Sequence, residues 1–184
     1  MHTFAAMRQL LLVFAHPRLE ASRVNRRLLD AARSVDNVTI VDLYERYPAF
    51  DIDVEHEQRE LSKHDVMVWH HPFYWYSAPP LFKQWIDLVL TFGWAYGPGG
   101  TAVAGKSVHH AVTTGGGAEA YSHDGRNRYT IQEFLRPYEQ TARLCGMSYH
   151  EPFAVHGTHR LTTTDIEAEA LRYRRFLEDC LHEH

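Results

Sequence analysis

The sequence predicts a single α/β domain, a three-layer sandwich in which a five-stranded parallel sheet lies between two layers of helices. Two observations predict this class. Strand and helix signals alternate along the 184 residues, which is typical of parallel sheets with right-handed crossovers. The strand signals are short, continuous apolar runs, as expected for strands that helices cover on both faces. For five such strands the expected order is 2-1-3-4-5.

In the first half of the chain, three strands alternate with three helices. The first strand is the run LLLVFA, and the helix after it has Ser22 at its N-cap and apolar residues every three or four positions. Pro79 and Pro80 stand where the first turn of a helix tolerates proline. The predicted strands cover residues 10–15, 38–43 and 66–69, and the predicted helices cover 22–32, 53–62 and 79–92.

The second half of the chain adds two strands and two long helices. The strands cover residues 106–112 and 147–155, the second one interrupted by Pro152, and the helices cover 131–145 and 164–181. Thr-Thr-Asp opens the last helix. Because no repeat or linker divides the chain, we expect one domain over residues 1–184, with 1–8 as a loose N-terminal extension.

Composition and charge disfavour several classes of protein. A net charge of −4 without a basic face disfavours nucleic-acid binding. Cys145 and Cys180 fit neither a redox pair nor a zinc site, which favours a reducing compartment. The longest apolar run is far too short to span a membrane, and residues 1–7 do not resemble a signal peptide. We therefore expect a cytoplasmic protein that would reach a membrane only through a partner.

Three loops form the candidate site. In sheets of this class, ligands bind outside the carboxyl ends of the strands, where the strand order reverses. That point lies here between strands one and three. The loops that follow strands one, three and four cover residues 16–25, 72–78 and 113–117.

The first loop, AHPRLEASRVN, leads into a helix N-terminus. Free N–H groups and the helix dipole favour a phosphate there, and Ser22, Arg23 and Asn25 add hydrogen-bond donors. Equally, Ser22 can be a simple N-cap and Arg23 a solvated charge. The absence of GxGxxG and GxxxxGK[ST] patterns disfavours a dinucleotide fingerprint or a nucleotide triphosphatase.

The second and third loops have unusual compositions. Phe73, Tyr74, Trp75 and Tyr76 can cover a planar ring, although aromatic side chains also fill cores and dimer interfaces. The run TTGGG lets backbone N–H groups approach the polar edge of a ring, although a glycine run is often only a flexible loop. A phosphate pocket, a ring face and a ring edge together outline flavin mononucleotide.

Long sequence blocks carry a resemblance to a known family. They are AHP followed by Ser22 and Asn25, DLYERYPAFDID at 42–53, HPFYWYSAPPLFKQWIDLVL at 71–90, GWAYGPGGTAVAGK at 93–106 and TTGGG at 113–117. With these blocks the chain resembles the flavodoxin-like NAD(P)H:quinone oxidoreductase family, and within it the ancillary flavoprotein subunits of bacterial glutathione-gated potassium-efflux systems. The resemblance covers essentially the whole chain after residue 8.

The resemblance implies a role for each of the three loops. His16, Ser22, Arg23, Val24 and Asn25 would surround the flavin phosphate or pyrophosphate. Phe73, Tyr74, Trp75 and Tyr76 would pack along the isoalloxazine. Thr113, Thr114, Gly115 and Gly116 would bind its pyrimidine edge, with Gly117 completing the turn. FMN is the expected cofactor, and FAD stays open because it would use the same loops.

The family also places a Tyr and a His near the quinone, shortly after the glycine run. Tyr121 stands at the Tyr position. Asn127 stands at the His position, and because an amide cannot take up a proton near neutral pH, a Tyr-His proton relay is in doubt. His123 is a candidate substitute, although a histidine in a loop is often simply solvated.

The resemblance implies a two-electron, ping-pong hydride transfer from NADH or NADPH to a quinone, in a homodimer with its active site at the subunit interface. An alternative is a regulatory subunit that docks on a membrane potassium/proton antiporter. A one-electron carrier is disfavoured because the chain is only mildly acidic.

No metal site is expected, since neither His156 with His159 nor His182 with His184 has further ligands. The chain contains no GxSxG pattern, so the sequence does not support a serine hydrolase.

Overall fold

The computed structural model describes residues 8–182. Within them, six strands form one parallel sheet. They are β1 (Leu10–Phe14), β2 (Val38–Asp42), β3 (Val66–Pro72), β4 (Ser107–Thr113), β5 (Ser148–Tyr149) and β6 (Phe153–Val155). The order is β2-β1-β3-β4, and β5 and β6 both pair with β4 on its far side. The predicted class and strand order are confirmed, with the fifth strand in two parts.

Seven α-helices lie within residues 8–182. They are α1 (Arg23–Ala32), α2 (Leu43–Arg46), α3 (Val54–Lys63), α4 (Pro80–Val89), α5 (Ile131–Phe134), α6 (Arg136–Leu144) and α7 (Thr163–His182). Among these residues, no helix has both the length and the apolar character needed to cross a membrane. Residues 1–7 of the expected N-terminal extension lie outside the described part of the chain.

The sheet separates two apolar layers, because neighbouring residues of a strand point to opposite faces. In β1, Leu10, Leu12 and Phe14 belong to the layer formed with α1 and α7. Leu11 and Val13 belong to the layer formed with α3, α4 and α6. All five side chains are fully buried. Burial on both faces explains why this strand is a continuous apolar run.

Proline divides two of the predicted elements. The helix predicted over residues 131–145 breaks at Leu135 into α5 and α6, since Pro137 has no N–H to bond the carbonyl four residues earlier. Pro152 separates β5 from β6, as the sequence predicts. The short helix α2 is absent from the sequence prediction. It begins at Leu43, and the carboxylate of Asp42 caps it.

Candidate functional site

The carboxyl ends of β1, β3 and β4 lie side by side, so the three predicted loops come together. At the last ladder positions, Phe14 pairs with His70 and Pro72 pairs with Thr113. Two adjoining clefts open at this edge and share Phe73. We name them the polar cleft, of about 300 Å³, and the aromatic cleft, of about 250 Å³.

Most of the predicted site residues line these two clefts. The polar cleft is lined by His16, Arg18, Ala21, Ser22, Arg23, Val24, Asn25, Pro72, Phe73, Tyr74, Thr113, Gly115, Thr158 and His159. The aromatic cleft is lined by Phe73, Trp75, Tyr76, Gly116, Ala120, Tyr121, Arg126 and Asn127. Of the predicted residues, Thr114, Gly117 and His123 line neither cleft.

The amino end of α1 lies at the polar cleft. Ser22 is the N-cap, as predicted, and its Oγ accepts a hydrogen bond from the backbone N–H of Asn25 at 3.2 Å. No acidic residue stands in the first turn of this ten-residue helix. The unpaired N–H groups and the positive end of the helix dipole therefore favour an anion in the cleft.

His16 presents a second hydrogen-bond donor to the polar cleft. Its Nδ1 accepts the backbone N–H of Arg18 at 3.1 Å, and burial lowers its pKa. A neutral imidazole that accepts at Nδ1 carries its proton on Nε2. This N–H adds to the donors at the end of α1.

The aromatic loop makes a tight turn with two bulky residues in left-handed conformation. The N–H of Ser77 donates to the carbonyl of Tyr74 at 3.0 Å, and the φ angles of Trp75 and Tyr76 are +50° and +63°. Turns of this kind usually contain Asn and Gly, because other side chains are strained there. Trp75 is 93% exposed, so the strain presents a large aromatic surface beside the cleft.

The four aromatic residues of this loop separate into two environments. Phe73 is buried and packs against Tyr121 and Phe134, with ring centroids 5.9 and 5.5 Å away. Tyr74, Trp75 and Tyr76 are exposed, although Tyr76 also stacks on Phe134 at 5.2 Å. Phe73 therefore anchors the loop, and the other three are available to a ligand or a partner.

The glycine loop offers backbone donors between the two clefts. Among the described residues, no acceptor bonds the N–H groups of Gly115 and Gly116. A side chain has little room at these positions: a Cβ on Gly115 would lie 3.1 Å from the His159 ring, and one on Gly116 would lie 3.3 Å from the Tyr121 ring. The run TTGGG thus leaves two backbone N–H groups without an acceptor at positions where a side chain would be crowded.

Thr114 holds this loop in place instead of facing a cleft. Its hydroxyl donates to the Gly116 carbonyl at 2.8 Å and lies 2.9 Å from His156 Nδ1. Burial lowers the pKa of His156. Gly117 ends the loop at a position without room for a side chain, because a Cβ there would overlap the Glu119 and Arg160 side chains.

Two of the three candidate catalytic residues lie in the aromatic cleft, and the third lies outside both clefts. Tyr121 lies in the aromatic cleft, and burial raises the pKa of its phenol, which keeps it a hydrogen-bond donor. Asn127 lies in the same cleft, with its Oδ1 3.4 Å from the Tyr76 hydroxyl. His123 points elsewhere: its side chain is 71% exposed and its Nε2 lies 3.7 Å from a Glu133 oxygen.

Several residues of the clefts lie outside the three predicted loops. Thr158 and His159 follow β6, and Arg126 lies between the candidate residues His123 and Asn127. Thr158 and His159 are predictable from the sequence in the same way as the three loops, because they follow the carboxyl end of the last strand. The sequence presents His159 only as a possible metal ligand beside His156, and no group of three potential ligands occurs among the described residues.

Comparison with known proteins places the chain in a family. A family model described as having a flavodoxin-like fold matches residues 8–177. The glutathione-regulated potassium-efflux system ancillary protein KefG of Pectobacterium carotovorum subsp. carotovorum (strain PC1) is 45% identical over 175 residues, which are 95% of this chain and 96% of that protein.

Two solved structures are similar over most of their length. General stress protein 14 from Treponema denticola, in complex with FMN, is 40% identical with a TM-score of 0.90, over 94% of this chain and 99% of that one. An NADPH-quinone reductase from P. pentosaceus is 33% identical with a TM-score of 0.83, over 91% and 96%. From the matched family model and these relatives we conclude that the chain belongs to the flavodoxin-like family.

Proposed function

We propose that the two clefts bind FMN and that the protein is an NAD(P)H:quinone oxidoreductase. One observation carries the proposal: an anion site at a helix N-terminus, exposed aromatic rings and unbonded backbone N–H groups adjoin one another along one edge of the sheet. A phosphate, a ring face and a ring edge need these surfaces in this order. The FMN complex of the Treponema denticola relative supports the same choice.

The residues present fit the cofactor. In the polar cleft, His16, Ser22, Arg23, Val24 and Asn25 would hold the phosphate. Tyr74, Trp75 and Tyr76 would lie along the ring, with Phe73 anchoring them. Thr113, Gly115 and Gly116 would bind the ring edge, supported by Thr114 and Gly117. When bound, FMN supplies a ring that accepts a hydride from NADH or NADPH and passes two electrons to a quinone.

The protein itself would provide orientation and fixed dipoles. The N–H groups of Gly115 and Gly116 would stabilise negative charge at the ring edge, since such donors need no reorganisation during the reaction. Tyr121 would donate a hydrogen bond from its hydroxyl. Asn127 would orient a substrate without taking up a proton. Because donor and acceptor would use the aromatic cleft in turn, we expect ping-pong kinetics.

A second candidate function is regulatory. The Pectobacterium relative is an ancillary protein of a potassium-efflux system, and this favours docking on a membrane potassium/proton antiporter. The protein would then lie on the cytoplasmic side of the inner membrane through that partner. Both functions can coexist in one chain.

We also expect a homodimer. Trp75, Leu88 and Phe92 are 93%, 40% and 68% exposed, and large exposed apolar side chains are typical of protein interfaces. Sedimentation velocity should give twice the chain mass of 21.4 kDa. A monomer at micromolar concentration would contradict this expectation.

The absorbance spectrum of the purified protein tests the first function. We expect flavin bands that bleach anaerobically with NADH or NADPH and return when a quinone is added. Releasing the chromophore distinguishes FMN from FAD. A colourless protein that takes up neither flavin would contradict the proposal. Restoration of potassium efflux by a variant without quinone turnover would favour the regulatory function.

A further inference from the structure

A chain of buried polar side chains lies behind the polar cleft. The Tyr173 hydroxyl, on α7, lies 2.8 Å from His70 Nδ1, on β3. His70 Nε2 lies 3.1 Å from Asn25 Oδ1, on α1. Asn25 Nδ2 then donates to Ser22 Oγ and Thr113 Oγ1, both at 3.0 Å. Tyr173 and His70 are fully buried, and Asn25 is nearly so.

The Tyr173 hydroxyl, at the start of this chain, determines which group donates in each of the following hydrogen bonds. Among the described residues, the Tyr173 hydroxyl proton has a single acceptor, His70 Nδ1. Burial lowers the pKa of His70 to about 3, so the imidazole is neutral and carries its one proton on Nε2. That N–H donates to the Asn25 carbonyl oxygen, which turns the amide NH₂ toward Ser22.

These hydrogen bonds leave the Ser22 hydroxyl able to act only as a donor. Its oxygen accepts two hydrogen bonds, from the backbone N–H and from the side-chain Nδ2 of Asn25. A hydroxyl oxygen has two lone pairs, so only its proton is free, and the residue lines the polar cleft. The hydroxyl of Thr113 differs, because it also lies 3.3 Å from Asn25 Oδ1 and can donate inward.

We propose that Tyr173 is a positioning residue for the ligand's phosphate: through His70 and Asn25 it fixes the Ser22 hydroxyl as a donor into the polar cleft. The proposal rests on the proposed function, since the phosphate is that of FMN. Without the Tyr173 hydroxyl, His70 can carry its proton on Nδ1. The Asn25 amide can then reverse, and the Ser22 proton turns inward to its oxygen.

Comparing FMN with riboflavin, which lacks the phosphate, tests the proposal. Each flavin is titrated into apoprotein, and its fluorescence quenching gives Kd. For Tyr173→Phe we expect the Kd of FMN to rise at least about tenfold, as for the loss of one hydrogen bond to a charged group, with the Kd of riboflavin within about twofold of wild type. A purely structural role would weaken both flavins equally.

Two further variants sharpen the test. In Asn25→Asp the side chain has no N–H, and its carboxylate draws the Ser22 proton inward, so we expect a still larger loss for FMN, on the order of thirtyfold or more. Tyr47→Phe is the matched control, because it also removes a buried tyrosine hydroxyl, one that donates to Glu57 Oε1 at 2.7 Å and lies outside both clefts and all three loops. Its affinities for both flavins should match those of wild type.

The possible results separate this proposal from the proposed function. Equal losses for both flavins in Tyr173→Phe, or no loss for either, would overturn the positioning role and leave the flavin site standing. So would a wild-type protein that binds riboflavin as tightly as FMN. A wild-type protein that binds neither flavin would overturn the proposed function and this proposal together. If Asn25→Asp does not fold, Tyr173→Phe still decides.

Discussion

His71 and His110 face each other in the protein interior with their Nε2 atoms 2.8 Å apart. His71 Nδ1 lies 3.0 Å from the Pro72 carbonyl, and His110 Nδ1 lies 3.1 Å from the Tyr149 hydroxyl. The carbonyl can only accept, so His71 donates to it and His110 donates to His71. His71 must be neutral for this arrangement, because it donates at Nδ1 and accepts at Nε2. Burial lowers the pKa of His71 to about 4 and of His110 well below its usual value, so neither ring is charged near neutral pH.

We predict that the protein loses stability steeply below pH 6.5. His70, His71, His109 and His110 have pKa values lowered by burial, whereas in the unfolded chain they titrate near 6.5. Between about pH 4 and 6.5 the unfolded state therefore binds more protons, and the free energy of unfolding falls as pH falls. Each histidine can contribute at most about 1.4 kcal/mol per pH unit to this fall in the free energy of unfolding.

Urea unfolding at several pH values checks this prediction. The free energy of unfolding should be nearly constant above pH 7 and fall with acidification below 6.5. His110→Gln should reduce the slope by about one histidine's share, ~1.4 kcal/mol per pH unit. His182→Gln, at an exposed position in α7, should leave it unchanged. A flat profile between pH 7 and 5 would contradict the prediction.

Trp85→Phe should destabilise the fold by about 1–3 kcal/mol in addition to the destabilisation caused by the smaller ring. The Trp85 indole N–H donates to Glu57 Oε2 at 2.8 Å, and both side chains are fully buried. Removing the donor leaves a buried carboxylate oxygen without this partner, although Arg46 and Tyr47 still bind Oε1. Thermal or urea unfolding measures the loss. Trp94→Phe, at a half-buried position, is the control, and an equal loss there would count against the explanation.

Trp75→Asn should raise stability while weakening the site. Left-handed backbone costs a bulky residue about 1 kcal/mol or more, and Asn adopts it more readily. Because Trp75 is 93% exposed, the substitution removes little packing. We expect the free energy of unfolding to rise by up to about 1 kcal/mol and FMN or substrate affinity to fall. Leu171→Asn, at an exposed helical position, should bring no gain. A destabilised Trp75→Asn protein would show that the turn is not strained.

Tyr121→Phe should lower quinone turnover by at least about tenfold, with kcat falling more than KM rises. The reason is the loss of a hydroxyl donor in the aromatic cleft. Tyr129→Phe removes an exposed hydroxyl from the same loop and is the control. Stopped-flow measurement of each half-reaction locates the effect. Unchanged turnover would mean that Tyr121 has no catalytic role.

The fold could be predicted because its main signals are local. Continuous apolar runs mark strands that are buried on both faces, and β1 and β3 are buried at every position. The break at Leu135 could have been predicted as well, since Pro137 is visible in the sequence. Helix α2 has four residues and no apolar period, so only the cap at Asp42 signals it.

The site was predicted less completely, because part of it depends on contacts between distant segments. The three loops follow from strand order alone. The position of His159 against Gly115 depends on how the chain leaves β6, and nothing in the local pattern gives it. The hydrogen bond between Tyr173 and His70 joins residues 103 positions apart. A tyrosine at an apolar position of α7 looks in the sequence like ordinary core.

Pro152 also affects whether the border strand of the sheet can pair with strands of other molecules. Pairing to β4 stops after Tyr149 and resumes at Phe153, so the outer border of the sheet never offers a long row of free backbone groups. Long open borders invite strands from other molecules, and proline is a common way to prevent this. The protein can thus expose the aromatic side chains around Trp75 while this border of its sheet resists pairing with strands of other molecules.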